Sequence, residues 1–242
     1  MNKGKLIVAN WKMNFLYKNA FEFCKKILSK KKIIKNNFVI CPPTTLILQL
    51  STKFKEITFG AQNCHHENFG AYTGDISAAM LKNINCKYVI IGHSERRIYH
   101  SENSLLLKKK IQSVLNAGLT PIYCVGENFD IKKKGKTKNH LLHQLSKTIP
   151  KKNKKKIVIA YEPVWAIGTG KTPSVNEIES VNIHIKKIIK KINPSYEKTN
   201  ILYGGSVDKQ NSLLFLNNSN IDGLLIGGAS LNSNIFSSIL SY

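Results

Sequence analysis

Several short apolar runs in this 242-residue sequence end in polar side chains that could do acid–base chemistry. The clearest example is Glu162, which follows the apolar run 157–160. A run of branched apolar residues is typical of a buried parallel strand, so Glu162 is predicted at a strand's carboxyl end. Pro163 then stops the strand, while Gly168 and Gly170 permit the tight turns of a mobile lid. An isolated Glu-Pro pair is often only a solvated turn, but here the sequence predicts one base beneath a lid that excludes water.

Other apolar runs also end in polar or glycine residues. This repetition favours a functional role for Glu162 over that of a solvated turn residue. The polar or glycine-rich ends are Asn10 and Lys12 after 6–10, His93 and Glu95 after 88–92, Ser206 after 201–203, and Gly227 with Gly228 after 223–226. Paired glycines at the start of a helix expose backbone N–H groups, which is a common way to bind phosphate. The pattern therefore indicates a phosphorylated substrate.

Strand-like runs alternate with helix-like stretches about eight times along the chain. Strands are predicted at 6–10, 38–41, 57–62, 88–92, 120–125, 157–160, 201–203 and 223–226. Helices are predicted at 15–28, from 44, from 94, and at 104–117, 139–148, 175–192, 209–216 and 234–240, with lysine-rich loop between 128 and 134. The alternation predicts an α/β fold, a single-domain (β/α)8 TIM barrel spanning 1–242, whose active site lies at the carboxyl ends of the strands. The alternative is an open doubly wound sheet, which is weakened because no G-x-G-x-x-G follows the first strand.

The composition shows one strong bias, a formal net charge of +23. Dense lysine runs at 132–134 and 151–156 raise the possibility of nucleic-acid binding. No aromatic residues are interleaved with them, and the chain is also rich in Asn and Ile, a joint bias that drift in an AT-rich genome produces. We interpret the lysines as a solvated surface and not as a binding site for nucleic acid. The charge would also attract dianionic substrates at low salt.

The sequence predicts a cytoplasmic enzyme with reduced cysteine thiols and no bound metal. The evidence is the spacing of its cysteines and histidines and the length of its apolar runs. The five cysteines are scattered and never spaced as C-x-x-C, which favours buried thiols. The pairs 65–66 and 140/143 are interpreted as surface histidines, because no further metal ligand stands at a suitable spacing. The first strand begins too soon after Met1 for a secretory signal, and no apolar run reaches the ~18 to 20 residues of a membrane span.

Eight motifs together resemble the triosephosphate isomerase family. They are NWKMN (10–14), AQN (61–63), GAYTGDIS (70–77), GHSERR (92–97), TPIYCVGE (120–127), AYEPVWAIGTGKT (160–172), YGGSV (203–207) and GGAS (227–230). They span the whole chain in the family's order. The resemblance implies interconversion of dihydroxyacetone phosphate and glyceraldehyde 3-phosphate, in glycolysis and gluconeogenesis, with no metal or organic cofactor.

The same resemblance assigns roles to residues. Glu162 would move the proton between the two carbons, and His93 would donate a hydrogen bond to the substrate oxygens, kept neutral by the helix that starts after it. Lys12 would offset negative charge and Asn10 would bind the substrate oxygens, while Glu95 would hold Lys12. The resemblance further assigns phosphate contacts to Gly168, Ser206, Gly227 and Gly228, a lid to residues 163–173, and closed-lid contacts to Tyr203 and Ser206.

The segment 63–77 is too long for a simple connection in a compact domain. By resemblance it reaches into a second subunit, so that Thr73 supports the partner's site and the protein is a homodimer. Asp75 departs from the family, which more often carries Glu there, and this shortening could weaken the subunit contact. Three other functions remain open: isomerisation of another small phosphosugar, an added nucleic-acid role, and an inactive remnant.

Overall fold

The structure is a computed structural model that describes residues 4–168 and 171–242. In these residues eight parallel strands form a closed barrel, in which each strand pairs with the next and the eighth pairs with the first. The strands are β1 (Leu6–Asn10), β2 (Asn37–Cys41), β3 (Thr58–Ala61), β4 (Tyr88–Ile91), β5 (Thr120–Val125), β6 (Val158–Tyr161), β7 (Asn200–Tyr203) and β8 (Gly223–Ile226). The predicted (β/α)8 barrel is confirmed.

Helices alternate with the strands and cover the outside of the barrel. The α-helices are α1 (Tyr17–Ser29), α2 (Thr44–Lys53), α3 (Ala78–Asn83), α4 (Ser94–Tyr99), α5 (Ser104–Asn116), α6 (Phe129–Lys133), α7 (Thr137–Thr148), α8 (Val175–Ile192), α9 (Ser212–Leu216) and α10 (Ser233–Leu240). Short 3₁₀ helices lie at Lys31–Ile33, Val164–Ala166, Pro194–Tyr196 and Gly228–Leu231.

Two apolar layers explain why the strands read as continuous apolar runs. Side chains on one face of each strand fill the barrel interior, among them Val8, Val39 and Ile122. Side chains on the other face, such as Ile7 and Ile40, pack against the helices. Because both faces of every strand are buried, the strands show no alternation of polar and apolar residues.

Most predicted bounds differ from the observed ones by one or two residues, and two segments differ more clearly. The segment 128–134 was predicted as loop, but it contains α6, because the side chain of Asn128 accepts the Ile131 N–H and caps a helical turn. The helix predicted over 209–216 begins only at Ser212, since Asp208 accepts the N–H groups of Gln210 and Asn211 in a turn. The third strand covers Thr58–Ala61 and not 57–62.

All five cysteines are buried, as predicted. Burial raises the pKa of Cys24 and Cys86 to about 12, so both thiols stay protonated at neutral pH. No helix in the described part of the chain is long and apolar enough to cross a membrane.

A buried charge cluster joins α4 and α5 to the long segment after β3. Glu102 Oε1 accepts from Arg96 Nε and from Lys110 Nζ, both at 2.6 Å, and Lys110 also donates to Asn63 Oδ1 at 2.9 Å. Burial opposes the charge of Glu102, but the hydrogen bonds and charges of Lys110 and Arg96 outweigh it, so the pKa of Glu102 lies below its ordinary value of 4.5. The cluster therefore stabilises the fold only while Glu102 is ionised.

Replacing Lys110 by Met should destabilise the fold by about 3 kcal/mol, because it leaves a buried carboxylate with one cation fewer. Urea unfolding at fixed protein concentration measures the change, and Lys109→Met, on the exposed neighbour, is the matched control. A carboxylate with a lowered pKa stabilises above its unfolded pKa, and that contribution is lost as pH falls through the lowered value. The difference between Lys110→Met and the wild type should therefore shrink below about pH 4.5. Equal effects of the two variants at neutral pH would contradict this account.

Candidate active site

A cavity of about 280 Å³ opens where the strands of the barrel end. The predicted catalytic and substrate-binding residues all line it: Asn10, Lys12, His93, Glu162, Gly168, Ser206, Gly227 and Gly228. They come from the ends of β1, β4, β6, β7 and β8, which parallel closure brings to the same face of the barrel. The structure thus places in one cavity the residues that the sequence singled out separately.

Glu162 lies at the floor of this cavity and is almost completely buried. Its Oε2 accepts the backbone N–H of Ser94 at 3.1 Å, and its Oε1 lies 3.2 Å from His93 Nε2. Glycines leave the room that this position needs, since a Cβ at Gly126 would lie 1.7 Å from the Glu162 carbonyl oxygen and one at Gly204 would lie 2.9 Å from its Cγ. The carboxylate is therefore held beside an imidazole in a site with little access to water.

His93 precedes the first residue of α4 and caps this helix with its own ring. Its Nδ1 accepts the Glu95 N–H at 3.3 Å, so this nitrogen carries no proton and the remaining proton is on Nε2. A Glu95 carboxylate oxygen lies 3.5 Å from the same Nδ1, a longer contact than the backbone hydrogen bond. The arrangement gives a neutral imidazole whose Nε2–H can donate beside Glu162.

Lys12 reaches the cavity through an unusual backbone conformation. Its φ of +52° is in the left-handed region, and Gln62 Nε2 donates to its carbonyl oxygen at 2.7 Å, while the Asn10 side chain accepts its N–H at 3.1 Å. Its Nζ donates to Glu95 Oε1 at 2.5 Å. β1 ends at Asn10, so Lys12 reaches the cavity from the turn after the strand and not from the strand itself.

The opposite wall of the cavity is made of glycine backbone and the start of the lid. Gly227 lies against the Lys12 stem, because a Cβ there would be 3.4 Å from Lys12 Cε, and Gly228 begins a 3₁₀ helix. Ser206 Oγ donates to the carbonyl oxygen of Ala166 at 2.5 Å and ties the loop after β7 to the lid. Gly168 has a φ of +68°. The remaining lid residues 169 and 170, including Gly170, lie outside the described part of the chain.

The three residues predicted to support the site lie around it rather than in it. Glu95 holds Lys12 through the ion pair described above. Tyr203 is fully buried at the end of β7, where its hydroxyl lies under Gly205 and has no hydrogen-bond partner among residues 4–168 and 171–242. Thr73 is exposed at the tip of the segment after β3 and does not reach the cavity of its own chain.

The described part of the chain contains no group of three His, Cys, Asp or Glu side chains that could hold a metal ion.

Comparison with known proteins shows which family combines this barrel and this cavity. A family model described as triosephosphate isomerase matches residues 5–242. The chain belongs to the triosephosphate isomerase family. It is 45% identical over 246 residues to the triosephosphate isomerase of Dictyoglomus thermophilum, covering 98% of this chain and 99% of that protein. The triosephosphate isomerase of Aquifex aeolicus is 43% identical over 247 residues, with 98% of each chain covered.

A solved structure extends this similarity to three dimensions. The crystal structure of triosephosphate isomerase from Bartonella henselae superposes with a TM-score of 0.88 at 35% identity, and 97% of each chain is covered. Membership of the triosephosphate isomerase family makes this chain an isomerase.

Sequence reasoning missed two groups that hold the site of this family member in place. Gln62 also donates to the Cys41 carbonyl at 3.0 Å, and so joins the ends of β1 and β2. Glu127 is buried and accepts from Tyr161 Oη at 3.1 Å and from Trp165 Nε1 at 3.0 Å, which anchors the first turn of the lid. Burial, together with the charge of Glu127, raises the pKa of Tyr161 and keeps its hydroxyl a donor. The signal that could have found Glu127 is the one used for Glu162, a carboxylate directly after an apolar strand.

Proposed function

We propose that the chain interconverts dihydroxyacetone phosphate and D-glyceraldehyde 3-phosphate, a step of glycolysis and gluconeogenesis carried out in the cytoplasm. One observation carries the proposal: the Glu162 carboxylate lies 3.2 Å from His93 Nε2 in a small cavity that Lys12 and a glycine backbone close on the other side. A base, a neutral donor and a phosphate site are the groups that an aldose–ketose isomerisation needs. The substrate class is supported by the relatives of Dictyoglomus thermophilum and Aquifex aeolicus, which are triosephosphate isomerases.

In this proposal Glu162 removes a proton from the carbon next to the carbonyl and returns one to the neighbouring carbon. The enediolate that forms carries its negative charge on the two substrate oxygens. His93 Nε2–H donates to these oxygens, and the Asn10 side chain binds them from the opposite side. Because His93 Nδ1 accepts the Glu95 N–H, the ring nitrogen left to donate to these oxygens is Nε2.

Lys12 and the glycine wall bind the phosphate. The Lys12 ammonium offsets the charge of the phosphate and of the developing oxyanion, while Gly168, Ser206, Gly227 and Gly228 supply chiefly backbone N–H groups. Glu95 limits the movement of Lys12 through their 2.5 Å hydrogen bond. The volume of about 280 Å³ favours a small phosphosugar over a larger one. No metal or organic cofactor is needed for this proton transfer.

The lid, residues 163–173, would close over the bound substrate and exclude water. In the observed arrangement Glu162 binds the Ser94 N–H, Trp165 binds Glu127, and Ser206 binds Ala166. Since Glu162 directly precedes the lid, closure would move its carboxylate away from Ser94 and toward the substrate carbon. Tyr203 and Ser206 would hold the closed position. Excluding water matters because an open enediolate can eliminate phosphate.

We also propose that two copies form a homodimer through the segment 63–77. The segment keeps a defined shape, because His65 N–H donates to the Ile76 carbonyl at 2.7 Å and the Tyr72 ring lies 4.3 Å from the His65 ring. Large exposed apolar side chains follow β1 and β3, including Met13, which is 96% exposed, and Phe69, which is 77% exposed. An interaction site is marked by exposed apolar side chains that form one patch, which is what we expect of these residues in the proposed interface. In the dimer, Thr73 would support the partner's Asn10, Lys12 and His93.

Replacing Thr73 by Arg should break the dimer, because a charged side chain would enter the partner's site. Sedimentation equilibrium should then show a monomer whose kcat is reduced by about 100-fold or more, as expected when catalytic groups lose their positioning. Thr52→Arg, on the exposed side of α2, is the matched control and should leave both properties unchanged. A Thr73→Arg protein that remains dimeric and fully active would contradict the proposed interface.

A coupled assay of glyceraldehyde 3-phosphate isomerisation tests the function itself. We expect fast turnover of this substrate and none of five- and six-carbon phosphosugars at equal concentration. Turnover of a larger phosphosugar would favour the first alternative. A folded dimer with no turnover would favour the inactive remnant, and RNA retention at physiological salt would favour the nucleic-acid role.

A further inference from the structure

A second cavity lies at the opposite end of the barrel, where the strands begin, and the isomerase proposal does not use it. Its volume is about 700 Å³, compared with about 280 Å³ for the catalytic cavity. Residues at or just before the first positions of the strands line it, including Leu6, Thr58, Tyr88 and Thr120. We call it the basal cavity.

The strand pattern makes the floor of the basal cavity polar. Side chains two residues apart on a strand point to the same face. Val39, Ile90, Ile122 and Leu202 belong to the apolar layer inside the barrel, and the residues two positions earlier are Asn37, Tyr88, Thr120 and Asn200. All four of these line the basal cavity. These four residues contribute amide and hydroxyl groups to the cavity, next to apolar side chains such as Leu6 and Val158.

Two lysines add positive charge to these polar groups. Val158 of β6 pairs with Asn200 of β7, and Lys156 and Lys198 each lie two residues before this pair, in the segments that lead into the two strands. Both lysines line the cavity, and neither has an acidic partner among residues 4–168 and 171–242. Lys155 also lines the cavity, but its Nζ already donates to the Leu115 carbonyl at 2.7 Å.

Two further features of the cavity wall favour an anion. Tyr196 lines the cavity, is 2% exposed, and has a hydroxyl without a hydrogen-bond partner in the described part of the chain. Buried hydroxyl groups are normally paired, so this donor calls for an explanation. Glu56 also lines the cavity, but its carboxylate is already bound to Lys31. The groups of the cavity that lack a partner are therefore lysine ammonium groups and a hydroxyl hydrogen-bond donor.

We propose that the basal cavity binds a compact anion with two or more negative charges, carried by phosphate or carboxylate groups. Lys156 and Lys198 bind its charged oxygens, and the hydroxyl and amide groups of the cavity donate further hydrogen bonds. Two ammonium groups in one cavity repel each other, and a bound polyanion removes this repulsion. The ligand joins the starts of β6 and β7, and it acts on stability rather than on the reaction.

Titration calorimetry with inorganic pyrophosphate at constant ionic strength tests the proposal. The Lys12→Met background weakens the catalytic site, so that the remaining binding reports the basal cavity. We expect one pyrophosphate per chain in this background. Adding Lys156→Gln and Lys198→Gln should weaken it by about 100-fold, or about tenfold for each charged hydrogen bond lost. The matched control is Lys151→Gln with Lys152→Gln, which removes the same charge from exposed lysines of the same loop that do not line the cavity.

The outcomes separate a built site from general attraction to a positive protein. Equal losses in the two double variants, or no pyrophosphate bound in the Lys12→Met background, would overturn the proposal. In a protein that is otherwise wild type, Lys156→Gln with Lys198→Gln should retain full isomerase turnover. Failure of the anion-site proposal is therefore distinguishable from failure of the proposed function. Citrate in place of pyrophosphate identifies the ligand chemistry: binding of both assigns oxyanions in general, and binding of pyrophosphate alone assigns phosphate.

Discussion

Replacing Glu162 by Gln should lower kcat by about 10³-fold to 10⁴-fold while the fold and phosphate binding persist. The amide has the shape of the carboxylate but cannot accept the substrate proton. Its oxygen can still accept the Ser94 N–H, so the side chain should keep its observed position. Steady-state kinetics with dihydroxyacetone phosphate measures the loss, and inhibition by inorganic phosphate checks that the rest of the cavity is intact.

Glu95→Gln is the matched control for the base. This carboxylate also lies near His93, 3.5 Å from Nδ1, but it faces Lys12 and does not line the cavity. It should therefore lose far less activity than Glu162→Gln. A Glu162→Gln enzyme that keeps most of its turnover would remove Glu162 from the mechanism, and a larger loss in Glu95→Gln would assign the base to Glu95.

The second large effect is expected for Lys12→Met, which should lower kcat/KM by about 10²-fold to 10³-fold. Methionine keeps the apolar stem against Gly227 but removes the charge that faces the phosphate and the oxyanion. The ion pair with Glu95 is partly exposed, so its loss should cost less than about 1 kcal/mol of stability. Kinetics with varied substrate should show most of the loss in KM.

Lys18→Met separates this local effect from the overall charge of +23. Lys18 is exposed on α1 and far from the cavity lining, and its replacement removes the same single charge. It should change kcat/KM only slightly, and less as salt rises, because long-range attraction is screened. An unchanged KM in Lys12→Met would contradict the role of Lys12 in binding the phosphate.

The barrel and the cavity lining could be predicted from the sequence because each strand corresponds to a short, mainly apolar run. The runs 38–41, 122–125 and 223–226 carry no polar side chain except the Tyr123 hydroxyl, since both faces of these strands are buried. A polar residue directly after such a run is placed at the carboxyl end of the barrel by topology alone. Glu162 and His93 could therefore be assigned to one site without knowledge of their contacts.

Other parts of the site depend on contacts between residues that are distant in the sequence. Nothing local marks Lys12 for a φ of +52°, and the amide that supports it, Gln62, is 50 residues away. Lys110 looks like any exposed helical lysine until its partner Glu102 is found buried beside it. That Lys156 and Lys198 line one cavity likewise depends on β6 and β7 being neighbours in the barrel. Register and burial are properties of the closed barrel, and no single segment encodes them.

Isomerisation of dihydroxyacetone phosphate in D₂O tests most directly that Glu162 moves the proton. A carboxylate that takes a proton from one carbon and returns one to the next can exchange it with solvent while the enediolate exists. Nuclear magnetic resonance of the glyceraldehyde 3-phosphate formed should therefore show deuterium on the carbon that was the ketone, and Glu162→Gln should form this labelled product only at a greatly reduced rate. Glyceraldehyde 3-phosphate formed by Glu162→Gln at the full wild-type rate, with or without the label, would contradict the account.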